Sequence, residues 1–491
     1  MSEVVLNPVA ALSSGSRRTA LELLRLALPL IAVSTSRMLM QFIDFVMVSG
    51  LGTEAQAAVS PATLLMWACI CLGVGMLTSV QTFASQADGR GEPEEGAAYA
   101  WQSLPLGLAF GVLVAPLTWL VPGLYAWIGE IAQHAPAVQR LETEYTRVVL
   151  WSIAPATIAV GLESYFNGLR RPRVTLVAVL AALGTNALGN WLLIWGKFGL
   201  PQMGIAGAAL ATVVGWWVRA LVLLAVFVAR RTDERYHTRR AWRPSLVKIR
   251  GIVRIGGPTG AAWLADIASW VVFLNLIVPP FGTVSLAATN IALQYTHLAF
   301  MPAIGLGLAL CSQVGFAIGA GRPHEAEERT RTALWLTMAY MGGIGLLLYL
   351  LRGPLLGLMS KDAAVVAAGA GIMLWVALYQ VFDAMSITFI FALRGAGDTR
   401  TVALLNAGCC WLIFILGGWA VATLRPEWGV NGPWALAVAY LTVLGLSLLA
   451  RWRSGAWKAI RVFAEPGGLW RPPIAVESKN KALIMPDEVP L

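Results

Sequence analysis

Twelve apolar runs of bilayer-spanning length leave this chain very few folds. They cover residues 25–48, 57–84, 100–128, 144–167, 174–195, 205–229, 252–279, 286–318, 331–351, 366–391, 402–423 and 434–452. A run of about 18 or more apolar residues reads as a transmembrane helix. Only helices and closed barrels satisfy their own backbone hydrogen bonds in lipid. Only 13% of the 491 residues are charged, against about 25% in an ordinary soluble domain. The expected fold is therefore an all-α integral membrane protein with twelve transmembrane helices. Arg17 and Arg18 precede the first run without a small-residue cleavage site, so that run reads as an uncleaved helix. The eighth run contains Pro302, where a bend is expected.

The net charge of +10 lies in loops and tails, where it reports topology and gives no case for nucleic acid. One alternating set of loops holds Arg90, Arg170, Arg171, Arg173, Arg322, Arg329, Arg394 and Arg400. The central loop adds Arg230, Arg231, Arg235, Arg239, Arg240, Arg243, Lys248 and Arg250 to that set. The positive-inside rule places these loops and both termini in the cytoplasm. The sequence then divides into a segment 1–24, a first lobe 25–229, a basic linker 230–251, a second lobe 252–452 and a tail 453–491. The tail is polar and contains Pro, a composition expected to be partly disordered. The two lobes echo one another: Gly73-x-Gly75, Gln81 and Gly89-Arg90 recur as Gly305-x-Gly307, Gln313 and Gly321-Arg322. Gly52-Thr53 recurs as Gly282-Thr283, and Leu169-Arg170 as Leu393-Arg394. Six helices per half make these parallel repeats, an arrangement in which carriers place substrate between the halves.

Three acids sit inside apolar runs: Asp44 in the first, Asp266 in the seventh and Asp383 in the tenth. Each costs at least about 2.5 kcal/mol at the bilayer centre, which makes them candidates for cation or proton binding. Tyr379 shares a face with Asp383 by i, i+4 spacing. The same spacing pairs Asn186 with Asn190 and Asn290 with Gln294, candidate polar cavity or ion ligands. Such amides equally serve as interhelical hydrogen bonds. Arg37, two turns before Asp44, is its candidate partner, and Glu163 is expected to pair with Arg170 or Arg171. His297 is a candidate proton site whose plainer reading is a hydrogen-bonded helix residue. The five Cys lie in apolar runs and read as small buried hydrophobes, with no transition-metal spacing. No P-loop lysine, nucleophile elbow or dinucleotide fingerprint is present, so neither an enzyme nor direct ATP drive is indicated.

Gln41-Phe42-Ile43-Asp44, Val48-Ser49-Gly50-Leu51-Gly52, Gly196-Lys197-Phe198-Gly199 and Leu393-Arg394-Gly395-Ala396-Gly397-Asp398-Thr399-Arg400 resemble the multidrug and toxic compound extrusion (MATE) family. The resemblance spans roughly residues 20–450 and is nearest the NorM-like bacterial branch. It implies two pseudo-symmetric six-helix lobes around a V-shaped cavity. It also implies secondary active efflux of amphipathic or cationic drugs and dyes in antiport with Na⁺ or H⁺. The setting would be the bacterial inner membrane, with no cofactor and the protein acting as a monomer. Asp44, Asp383 and Tyr379 match that branch's ion-coupling positions. Asp266 stands where the branch usually has Glu, one methylene shorter; Na⁺ is then expected at Asp266 and Asp383. Asn190 stands where the DinF-like branch has Asp. The alternative is a lipid-linked precursor flippase of the wider superfamily, which would line its cavity with several cations.

Overall fold

The computed structural model describes residues 14–132 and 135–463. Among these no strand occurs, and twelve helices are long and apolar enough to cross a membrane. The first six are α1 (Arg17–Ser49), α2 (Thr53–Arg90), α3 (Pro93–Val114), α4 (Pro136–Gly168), α5 (Pro172–Trp195) and α6 (Gly204–Val228). The second six are α7 (Leu246–Phe281), α8 (Thr283–Gly319), α9 (Pro323–Leu350), α10 (Ala363–Ala396), α11 (Thr399–Leu424) and α12 (Asn431–Arg453). The repeated Gly52 and Gly282 are the N-caps of α2 and α8, with φ of 112° and 90°. A side chain at either position would be strained, so the repeat preserves one backbone geometry in both halves.

One departure from the expected spans has a local cause. The third run does not continue to residue 128. Its helix ends at Val114, and a separate helix starts at Leu117, because Pro116 lacks the N–H that a continuing helix would use. The helix of the eighth run, in contrast, carries on through Pro302 from Thr283 to Gly319. Two π-helical stretches, Phe273–Ile277 in α7 and Cys409–Gly417 in α11, both lie in the second half.

The halves meet along α1 against α8 and α2 against α7. At the arginine-rich end this contact is close. A Cβ on Gly75 would lie 2.6 Å from the Cα of Gly260, so both helices need glycine there. Around this seam the side chain of Gln81 donates to Leu308 O at 2.8 Å and to Ser312 Oγ at 2.8 Å. Thr82 donates to Arg394 O, Gln86 to Gly395 O, and Arg394 back to Thr78 O. These residues are nearly all buried, so their polar atoms depend on partners in the opposite lobe. Away from this end the cover thins. Helix α1 is buried at Ala27, Leu30, Val33 and Ser34, but no residue from Thr35 to Met47 is buried.

Two connections run over the arginine-rich face. The linker forms a short helix, Arg230–Tyr236, and docks on the first lobe. Trp101 Nε1 donates to Thr238 O at 2.6 Å, and Lys248 pairs with Glu95 at 2.5 Å. The segment after α12 is packed as far as Phe463, so the expected partial disorder of the tail does not include these residues. Trp457 is 1% exposed and stacks on Trp452 with ring centroids 4.2 Å apart. Lys458 pairs with Glu327 of α9 at 2.5 Å. The chain then crosses to the first lobe. Val462 joins the core that contains Phe83 and Tyr99, and Phe463 meets both rings edge-on at 5.7 Å. Arg90 covers Phe463 at 4.3 Å. Aromatic burial overrides the polar composition for these residues. The rest of the expected tail and most of the segment 1–24 lie outside the described residues.

Candidate functional site

The structure brings the three acids into two separate clusters. In the first lobe, Asp44 of α1 accepts a 2.5 Å hydrogen bond from Asn190 of α5. Asn190 also donates to Asn186 Oδ1 at 3.4 Å, and Asn186 donates to Thr212 of α6 at 3.3 Å. Asn186 and Thr212 lie within hydrogen-bonding reach of the carboxylate as well. Tyr145 of α4 is buried beside this group, near Thr63 and Thr212. Asn186 and Asn190 are both fully buried, as the i, i+4 spacing on one face of α5 requires. Asn190 is the one of the two whose amide is hydrogen-bonded to Asp44, with Asn186 braced behind it.

Arg37 does not neutralise Asp44. Its Nη2 donates instead to Glu163 of α4 at 2.7 Å. Glu163 also bonds Arg219 of α6, so it does not pair with Arg170 or Arg171. Arg170 instead binds Asp88 at 2.8 Å and lies over the Phe316 ring of the other lobe at 3.8 Å. Helix packing decides these partners, and spacing along one helix cannot reveal them. Arg219 was hidden inside an apolar run and is 3% exposed.

In the second lobe, Asp266 of α7 and Asp383 of α10 are close enough to interact electrostatically. Asp383 is 6% exposed, and its Oδ2 has no hydrogen-bond partner. Tyr379 of α10 interacts electrostatically with both acids and lies beside the Tyr440 hydroxyl on α12. Cys410 Sγ is 2.9 Å from Ser269 Oγ, and Ser269 also bonds Asp266 O at 2.7 Å. Cys410 thus takes part in the polar cluster beside Asp266, not only in apolar packing. Gln380 is fully buried, with both amide atoms unpartnered. Behind the cluster Phe414 packs on Trp270, Phe273 and Tyr440, with centroids 4.7–5.1 Å apart. Asn290, Gln294 and His297 are exposed on α8, and the two amides hydrogen-bond neither Asp266 nor Asp383.

Tyr145, Thr212, Tyr440, Ser269 and Gln380 were not singled out by the sequence. Hydroxyls and amides inside apolar runs are common, so only their convergence on acids distinguishes them. Among the described residues no group of His, Cys, Asp and Glu could hold a transition metal. The acids, phenols and amides are hard oxygen donors, suited to a proton or an alkali cation.

A polytopic helical protein of two related lobes, sealed at one end and with acids set inside the membrane-spanning helices of each lobe, has the build of a membrane carrier. The chain belongs to the MatE family: the family model matches residues 29–192 and 266–419, one match in each half. It is 30% identical over 441 residues to the probable multidrug resistance protein NorM of Rhizobium meliloti, covering 88% of this chain and 92% of that one. It is 27% identical over 440 residues to the multidrug resistance protein MdtK of Pectobacterium atrosepticum, covering 88% and 95%. The fold matches a MATE crystal structure in the straight conformation with a TM-score of 0.80 at 21% identity, over 91% of this chain and 99% of that one. It also matches an outward-facing multidrug resistance MATE transporter with a TM-score of 0.79 at 20% identity, over 90% and 97%.

Proposed function

We propose that this chain is a secondary active multidrug efflux carrier. It exports amphipathic or cationic compounds in antiport with Na⁺ or H⁺. The observation that carries this reading is the Asp266–Asp383 pair: two carboxylates in a membrane lobe with no ion-pair partner among the described residues, one with a buried and unbonded oxygen. Burial disfavours two negative charges so placed. A proton or a Na⁺ relieves that cost, and Tyr379, with Tyr440 beside it, supplies a further oxygen ligand.

On this reading the arginine-rich end faces the cytoplasm of a bacterial inner membrane. The lobes, taken as 25–229 and 252–452 with the linker 230–251, are then closed inward and loosened outward. Cation occupancy favours one lobe arrangement and weakens drug binding; coupling requires that difference in affinity between states. The proposal needs no cofactor and no second copy of the chain. A lipid-linked precursor flippase is supported less well, because the second lobe presents carboxylates to its ligand.

Counterflow in proteoliposomes tests the proposal, with a Na⁺ gradient and a pH gradient imposed separately. One gradient is expected to drive export of a cationic dye in the wild-type protein. If neither gradient moves dye and a labelled lipid precursor flips, the efflux reading fails.

A further inference from the structure

Gln380 is a polar side chain buried without a polar partner. It is fully buried on α10, and neither Nε2 nor Oε1 makes a hydrogen bond. Among the described residues no other buried amide lacks both. An amide removed from water and given no partner destabilises the fold that buries it. Such groups are rare in proteins, and each marks an ion, a water or a functional role. Packing alone would be better served by leucine, which fills a similar space without that cost.

The surroundings restrict where this amide can find a partner. On its own helix the residues one turn away are Val376, Ala377, Asp383 and Ala384. Of these, Asp383 alone has a polar side chain. On the α9 side Gly345 packs very close: a Cβ there would lie 3.3 Å from Gln380 Cβ and 2.8 Å from Ala377 O. That contact offers Gln380 no side-chain partner. Asp383 is itself incomplete, being 6% exposed with Oδ2 unbonded. Residues at i and i+3 have Cβ atoms about 5–6 Å apart, a gap the long glutamine side chain can span. Three unbonded polar atoms therefore belong to one turn of α10. Nε2 is a donor that the carboxylate could accept, yet the two are not bonded in this structure. The oxygens, both hard donors to a metal ion, suit a cation between them.

We propose that Gln380 Oε1 is a further ligand of the coupling cation, completing the second-lobe site with Asp383. A Na⁺ is shared between the two oxygens. A proton on Asp383 makes its carboxyl a donor, which Oε1 accepts. Gln380 thus serves whichever cation Asp383 takes. This rests on the efflux reading and adds a ligand to its cation site.

The test compares Gln380→Leu and Gln380→Asn with the wild-type protein, full length and in proteoliposomes. Initial rates of cationic-dye export are measured against Na⁺ at fixed pH, and against protons without Na⁺. Gln380→Leu is expected to raise the half-saturating concentration of the driving cation about tenfold, the loss of one ligand to a charge, with the maximal rate within about twofold. Its melting temperature in detergent is expected to match or exceed the wild-type value, because two unbonded polar atoms leave the core. Gln380→Asn keeps the amide on a shorter stem and is expected to fall between. Unchanged half-saturation in Gln380→Leu overturns the ligand. So does a joint loss of cation response and melting temperature, since packing then accounts for both. Either result leaves efflux standing. If neither cation drives export in the wild type, the ligand and the efflux reading fall together.

Discussion

The two lobes share a repeat but treat their acids in opposite ways. In the first, Asp44 is held by the amide of Asn190, with Asn186 and Thr212 alongside, and a separate Arg–Glu–Arg cluster lies on the same helix face. In the second, Asp266 and Asp383 interact electrostatically, Tyr379, Tyr440 and Cys410 belong to the same cluster, and no ion pair to either acid occurs among the described residues. The second lobe alone contains π-helical stretches among the described residues, and Cys410 lies in one of them. Such stretches are frequent at functional sites, because the extra residue re-aims side chains. The difference teaches that pseudo-symmetry here fixes helices and seams, not chemistry. One lobe hydrogen-bonds its carboxylate to a neighbouring amide; the other leaves a carboxylate oxygen of Asp383 without a hydrogen bond among the described residues.

That contrast can be broken by unequal losses. The largest effect is expected for Asp383→Asn, which should reduce ion-driven dye efflux from vesicles to the level of protein-free controls while the protein stays in the membrane. Asp44→Asn should leave measurable, slower efflux; equal loss in both variants would erase the functional distinction between lobes. Glu163→Gln strands two cations in the first lobe and should destabilise the fold by about 3 kcal/mol, read as a lowered melting temperature in detergent. Little change there would mean that water already screens the cluster. Asn190→Ala removes the donor to Asp44 and should cost about 1–2 kcal/mol, seen as a several-fold slower efflux rate. Tyr440→Phe deletes one hydroxyl near Tyr379 and should shift the half-saturating concentration of the coupling cation by no more than about fivefold. A larger shift would make Tyr440 a direct ligand.

Much of this was legible before any coordinates. Asp44, Asp266 and Asp383 stand out because a charge inside an apolar run has a cost that packing does not explain. Tyr379, Asn186 and Asn190 follow from helical spacing. The pairing of charges was not legible: Arg37 lies on the same face as Asp44, yet α4 offers it Glu163 instead. Which helices touch is a tertiary fact, and one helix cannot state it. Asn290 and Gln294 share a face as expected, but that face does not meet the acids of the second lobe. The break after Val114 could have been read from Pro116, had hydropathy not masked it. The ordered stretch after α12 depends on two aromatic anchors, Trp457 and Phe463, within a polar composition.

Those anchors have a mechanical consequence. The chain leaves α12 in the second lobe, yet Val462 and Phe463 are seated on the first. Whatever follows Phe463 therefore starts from the lobe to which it is not directly joined. With the linker, the chain bridges the same face twice, once at its middle and once near its end. Parting the lobes at that face would have to stretch the eight residues from Gly455 to Val462 or unseat Phe463 from under Arg90. A fluorophore placed just beyond Phe463 would thus report the opening of that face, with the strap as its hinge pin.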